Sequence, residues 1–409
     1  MRILWVLVLI LVQFACSGPV GTQSEGPDHW VATWTTAQLL VQPQTTPTQQ
    51  GPQGYNNQTI RMIVRTSIGG ERLRVKLANA FGSDPVAVGA AHIALHSEDS
   101  GIVPGSDRTL TFNGNADCTI GPGMVILSDP VDLSVPELAH LAVSLYFPGE
   151  TGTPTIHSRA LHTTYITEEG DFTGAASIAG GATTESYYWL AGIDVMAPAD
   201  AGLIVAYGDS ITDGDRSTAN TDHSWPALLA ERLVGNEETA NIAVANMGIA
   251  GNRVLRDGSG ASALARFDRD VLSQSGVGWM IMIEGINDIG RIARDPSQAV
   301  TAEELINAYQ QIIERAHTHG IQVVGGTLTP FDGASYFGEE GETVRAAVND
   351  WIRTSGAFDG VVDFEAATRD PENPRMFLPA FDPGDHLHPN DDGYQAMADA
   401  IDLTFFSGN

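Results

Sequence analysis

Four short segments in the second half of the chain hold residue types that together could act on an acyl bond. Gly208-Asp209-Ser210-Ile211-Thr212-Asp213-Gly214 places a serine directly after an apolar run, at a strand end and close to the next helix. A serine so placed can be a nucleophile whose oxyanion meets backbone N–H groups. Asn246-Met247-Gly248-Ile249-Ala250-Gly251-Asn252-Arg253 follows a second apolar run, and Glu284-Gly285-Ile286-Asn287-Asp288 follows a third. Near the C-terminus stands Asp385-His386-Leu387-His388-Pro389. An aspartate three residues before a histidine can orient the imidazole from within one turn, leaving its other nitrogen free to take a proton from serine. Any one segment is a weak signal, since GDS alone arises by accident in roughly one chain in ten of this length.

Each residue also has a plainer reading. Ser210 could be a helix N-cap. His386 could replace His388 as the base, but the D-x-x-H spacing favours His388 and leaves His386 structural. Asp209 reads as a hydrogen-bonding residue beneath the serine, and Asp288 as a support for its loop. The Asp- and Asn-rich stretches 213–222 and 390–393 lack the D-x-[DN]-x-[DN]-G pattern of a calcium loop and read as solvated loops. His317 and His319 lack partners at metal spacing, and Cys118 reads as a small buried residue. No G-x-S-x-G surrounds Ser210, which argues against the α/β-hydrolase fold.

In this order and at these separations the four segments resemble the SGNH hydrolase superfamily, the GDSL-type esterases and lipases. The resemblance covers about residues 200–405 and implies Ser210 as nucleophile, His388 as base and Asp385 as its orienting carboxylate. It also implies an oxyanion hole made by Ser210, Gly251 and Asn287. Ile211 and Thr212 stand where the family name has leucine. Gly248 competes with Gly251, which is preferred because the family's glycine closes an N-x-x-x-x-G segment, here Asn246 to Gly251. The chemistry implied is ester hydrolysis through an acyl-enzyme, with no metal and no organic cofactor. The whole chain is also similar, more loosely, to a bacterial two-domain branch with a β-rich N-terminal domain. That branch implies removal of acetyl or other short acyl groups from carbohydrate esters. The alternatives are a broad short-chain esterase or lipase acting on lipid or aryl esters, and a carbohydrate-binding protein whose hydrolase domain is vestigial.

The elements that must position these residues follow from the hydrophobic periods. After Ala199, the short apolar runs Leu203 to Tyr207, Ile242 to Asn246, Trp279 to Ile283, Val323 to Thr327 and Val361 to Phe364 alternate with helical patterns. This is a parallel sheet covered on both faces, with functional groups at the carboxyl ends of its strands. The expected fold class is α/β: a flavodoxin-like three-layer α/β/α SGNH hydrolase domain, residues 200–406. Before it, residues 29–195 alternate apolar and polar positions between turns, the pattern of a β-sandwich or jelly-roll-like accessory domain. Within it, Ile60 to Val64 and Leu73 to Leu77 around Gly69-Gly70 read as a hairpin with one wet face. His29, Trp30, Trp34, Tyr187, Tyr188 and Trp189 could stack on sugar rings, though core packing is the commoner role of aromatics there.

The apolar run Ile3 to Val12 and the small residues after it read as an export signal, residues 1–17, followed by a linker, 18–28. Cys16 stands where a lipoprotein would be cleaved and lipidated, although Gln13 departs from the usual leucine. The expected location is therefore outside the cytoplasm, secreted, periplasmic or lipid-anchored at the envelope. The 409 residues carry 50 Asp and Glu against 21 Lys and Arg, a formal charge of -29. Such a polyanion repels nucleic-acid phosphates and anionic lipid headgroups, so the partner expected is a small-molecule or polysaccharide acyl ester. No later run of the sequence approaches the roughly 20 apolar residues of a membrane span. Oligomeric state has no signature in the sequence.

Overall fold

The computed structural model describes residues 27–40 and 54–407. The expected export signal, Cys16 and most of the expected linker lie outside the described residues. Among the described residues no helix is long and apolar enough to cross a membrane.

The C-terminal half is a five-stranded parallel sheet with helices on both faces. Its strands are β1 (Gly202–Gly208), β2 (Ile242–Gly248), β3 (Val277–Ile283), β4 (Gln322–Gly326) and β5 (Gly360–Val362). Their order is β2-β1-β3-β4-β5, so the chain reverses its direction of winding at β1 and a crevice opens there between the ends of β1 and β3. β1 is buried along its whole length, which explains why its sequence is apolar without alternation. The helices between strands are α1 (Ser210–Asp213), α2 (Trp225–Val234), α3 (Ala263–Phe267), α4 (Ile286–Arg294), α5 (Ala302–Thr318), α6 (Glu339–Thr354), α7 (Phe364–Thr368) and α8 (Asp391–Asp399). α2 packs on α8, while α4 and α5 pack on α6. The Val361 to Phe364 run is not all strand: it ends at Val362, Asp363 caps α7, and Phe364 is helical.

The N-terminal half is strand-rich. A sheet containing His29–Thr35, Gly70–Ala78, Val131–Val135 and Leu190–Ala197 accompanies a second containing Gln58–Arg65, Ala90–Leu95, His140–Phe147 and Thr164–Glu169, all antiparallel. The expected hairpin across Gly69-Gly70 is absent, because Gln58–Arg65 and Gly70–Ala78 belong to different sheets. The turn is an arch between sheets: Ile60, Met62 and Val64 on one side and Leu73, Val75 and Leu77 on the other all enter one apolar core. Nor is the outer face of the first strand wet. Arg61 is fully buried, donating to Ser144 Oγ and to the carbonyls of Ser100, Thr173 and Ala175. Tyr187, Tyr188 and Trp189 are buried, and Trp34 meets Tyr187 edge to face at 5.1 Å, so these aromatics are packing residues.

The halves share one continuous core. The strand His29–Thr35 lies against β2, Ala32 N–H donates to Ser275 O (3.0 Å), and Val244 N–H donates to Ser67 Oγ (3.1 Å).

Candidate active site

The four segments meet at the carboxyl ends of β1, β2 and β3. β1 ends at Gly208, and Asp209 caps α1 by accepting from Ile211 N–H (3.0 Å). Ser210 is therefore the first helical residue and not the cap, so the plainer reading of this serine does not hold. His388 Nε2 lies 2.9 Å from Ser210 Oγ, and His388 Nδ1 lies 2.9 Å from Asp385 Oδ2. Asp385 Oδ1 accepts from the N–H groups of Leu387 (3.1 Å) and His388 (3.0 Å). Burial alone would raise the Asp385 carboxyl, but the His388 N–H and imidazole hold it down at about 2. An ionised Asp385 keeps the imidazole proton on Nδ1, which leaves the Nε2 lone pair facing the serine hydroxyl.

The donors that would hold an oxyanion follow the ends of three neighbouring strands, β1, β2 and β3, and they are unpaired. The side-chain amide nitrogen of Asn287, in the first turn of α4, is buried without a hydrogen-bond partner. The backbone N–H groups of Ser210 and Gly251 likewise have no acceptor among the described residues. Buried donors are normally satisfied, so the orphaned amide of Asn287 fits a site that waits for an acceptor. The two glycines now separate. Gly248 N–H is used by Asn246 Oδ1 (2.9 Å), and a Cβ there would stand 2.2 Å from the Asp213 nitrogen, so its part is to let β2 approach α1. Gly251 takes a left-handed φ of 78° that leaves its N–H free.

Beneath the site lies a buried polar layer. Arg266, fully buried, donates to Gly208 O (2.8 Å), Met247 O (2.7 Å) and Asn252 Oδ1 (2.9 Å), which ties together the ends of β1 and β2 and the glycine loop. Asp288, in α4, accepts from Val254 N–H (2.7 Å) and Leu255 N–H (3.2 Å), so it supports the loop after β2 rather than its own. Burial pushes Asp209 up to about 7 and Asp288 up to about 6, and raises Glu284 well above the usual carboxylate range. His386 pairs with Asp382 and stands apart from the serine, as a structural residue does.

Several residues near the serine carried no sequence signal. His157, from the N-terminal half, is buried between Ala37 O (2.8 Å) and Asp213 Oδ1 (3.1 Å), and Asp213 Oδ2 accepts from Ala250 N–H (3.1 Å). The stretch 213–222 is thus no solvated loop at its start: Asp213 is 7% exposed. Asp215 lies 3.7 Å from His388 Nε2 and is held by Arg159, while Arg216 donates to Asp385 Oδ2 at 2.8 Å. His157 and Arg159 are more than 50 residues from these partners in sequence, and short-range spacing cannot reveal such pairs.

Residues 204–401 match the family model described as GDSL-like Lipase/Acylhydrolase. A search of curated proteins finds no match. Among solved structures, an acetyl xylan esterase from Geobacillus stearothermophilus is 23% identical with a TM-score of 0.40, covering 51% of this chain and 96% of its own. An alpha/beta hydrolase enzyme from the metagenome of Lake Arreo, Spain, is 22% identical with a TM-score of 0.39, covering 50% of this chain and 96% of its own. The acetyl xylan esterase AlAXEase is 19% identical with a TM-score of 0.37, covering 48% of this chain and 96% of its own. The C-terminal half of this chain, residues 204–401, is a domain of the GDSL-like lipase/acylhydrolase family within the SGNH superfamily.

Proposed function

We propose that the protein is a serine carboxylic-ester hydrolase that removes acetyl or similarly short acyl groups from carbohydrate esters. The observation that carries the reading is the unbroken line Asp385, His388, Ser210, with both links at 2.9 Å. Family membership of the domain supports esterase activity in general.

Ser210 Oγ attacks the ester carbonyl carbon as its proton passes to His388 Nε2. The carbonyl oxygen gains negative charge and is held by the N–H groups of Ser210 and Gly251 and the amide of Asn287. Collapse of the tetrahedral intermediate expels the alkoxide, which takes the proton from Nε2, and an acyl-serine remains. Water then attacks this ester, gives its proton to the same nitrogen, and returns the enzyme with a free carboxylic acid. Asp385 steadies the imidazolium in both halves without itself taking the proton.

The alcohol half of the substrate must face His388 Nε2, because that nitrogen protonates it. On that side stands Asp215, held by the exposed Arg159, and beside Asp385 stands the exposed Arg216. A polar rim of this kind suits a hydroxylated leaving group better than an acyl glycerol. Acetate release from acetylated xylo-oligosaccharides, measured beside an acyl-length series of 4-nitrophenyl esters, tests the substrate class. The expected result is acetate release with aryl-ester rates falling as the acyl chain lengthens. Rates rising beyond eight carbons without acetate release would assign the protein to lipid esters.

A further inference from the structure

Away from the serine, where the two halves meet, three side chains point at one spot. His140 opens the strand His140–Phe147, and its pairing with Arg65 on the neighbouring strand fixes its position at the seam. His162 comes from the loop before the strand Thr164–Glu169. Asp222 belongs to the loop between α1 and α2, where a left-handed φ of 58° turns its carboxylate towards the N-terminal half. His140 Nε2 lies 2.9 Å from one carboxylate oxygen and His162 Nε2 lies 2.8 Å from the other. One ligand atom from each of the three residues lies within 4.8 Å of the other two.

We propose that His140, His162 and Asp222 form a binding site for a zinc-class divalent ion that clamps the two halves of the molecule together. Two imidazole nitrogens and a carboxylate oxygen are a donor set that suits zinc, with water completing a tetrahedron. Neither Nδ1 has a hydrogen-bond partner among the described residues, so each ring can carry its proton there and offer the Nε2 lone pair to the ion. For rings that are neutral beforehand, this is a change of tautomer without net proton release. Asp222 and His162 also border a cavity of about 110 Å³ in the seam, which has room for the ion's water.

The charged groups around the site leave it anionic. The Arg65 guanidinium sits 3.8 Å from Asp222 Oδ2, but it is also paired with Glu231 at 2.9 Å. It can stay as an outer partner of the carboxylate while the nitrogens take the ion. His96, whose ring centre is 6.0 Å from that of His140, is engaged by Asp99 O. Without an ion, the three side chains would form a hydrogen-bonded His–Asp–His bridge, which makes a different prediction. The bridge would form without zinc and ignore it.

The test uses the full chain, stripped with a chelator and titrated with zinc chloride by calorimetry, with bound zinc counted after desalting. The proposal predicts one equivalent bound per chain and a Tm higher by about 5 °C at a hundredfold excess over the dissociation constant. His162→Gln and Asp222→Asn, checked by circular dichroism for an intact fold, should each lose the equivalent and the shift. The wild-type chain carries the test even if those variants unfold. Less than a tenth of an equivalent bound by the wild type would overturn the proposal. So would a Tm that ignores zinc, or zinc retained by both folded variants.

Discussion

At the scale of the residue, the site was legible where the reaction dictates both type and spacing. Ser210 follows a strand end and Asp385 stands three residues before His388, while the order of the segments, Gly251 and Asn287 were legible only through the family resemblance. Residues whose partners lie far away in sequence were not legible. Arg266 carried no sequence signal, and it is buried and bonds the carbonyls of Gly208 and Met247. The orphaned amide of Asn287 gives the sharpest prediction at this scale. Asn287→Ala should lower kcat by about 10²–10³-fold, on the order of 3–4 kcal/mol, with KM little changed, because the donor acts on charge that exists only in the transition state. A parallel rise in KM with kcat intact would make Asn287 a ground-state binding group, contrary to this role.

At the scale of the element, helix and strand periods located β1 to β4 and four of the eight helices, α2, α3, α5 and α6, because strands covered on both faces must be apolar throughout. The hairpin failed for a physical reason. Alternation fixes which side chains point inward, but an arch between two sheets and a hairpin within one share that alternation, and only pairing separates them. The glycine loop after β2 depends on an element from the other half, since His157 holds Asp213 and Asp213 holds Ala250, next to Gly251. His157→Ala would leave Asp213 buried without its partner. It should destabilise the protein by about 3 kcal/mol, and it should slow turnover at least tenfold by loosening the Gly251 donor. Denaturant melts and aryl-acetate kinetics check both. An unchanged melt with unchanged kcat would show that the N-terminal half does not support the oxyanion site.

At the scale of the whole molecule, the charge of -29 is carried in two ways. Most carboxylates are exposed, but Asp209, Glu284 and Asp288 lie beneath the serine, where burial raises their pKa. Asp209 Oδ2 has no hydrogen-bond partner, which adds a reason for it to stay protonated. The unfolded chain releases the Asp209 proton near pH 4, whereas the folded chain holds it to about 7. Asp209 therefore stabilises the fold fully below pH 4, and that contribution is lost as pH rises through about 7. Asp385 works in the opposite sense: held at about 2, it contributes above pH 4 and loses its contribution as pH falls towards 2. Tm should accordingly decline between pH 5 and 8 in the wild type and less steeply in Asp209→Asn. Parallel declines in the two would show that Asp209 is ionised in the fold throughout that range. None of this balance is visible in composition, which counts carboxylates without showing which are buried.

The central claim is that Ser210 is the nucleophile, and the most direct measurement is kcat/KM for 4-nitrophenyl acetate in the wild type and in Ser210→Ala. The predicted result is a loss of at least about 10³-fold with an unchanged melting curve, since a triad acts as a unit. A folded Ser210→Ala protein that retains its turnover would contradict the account.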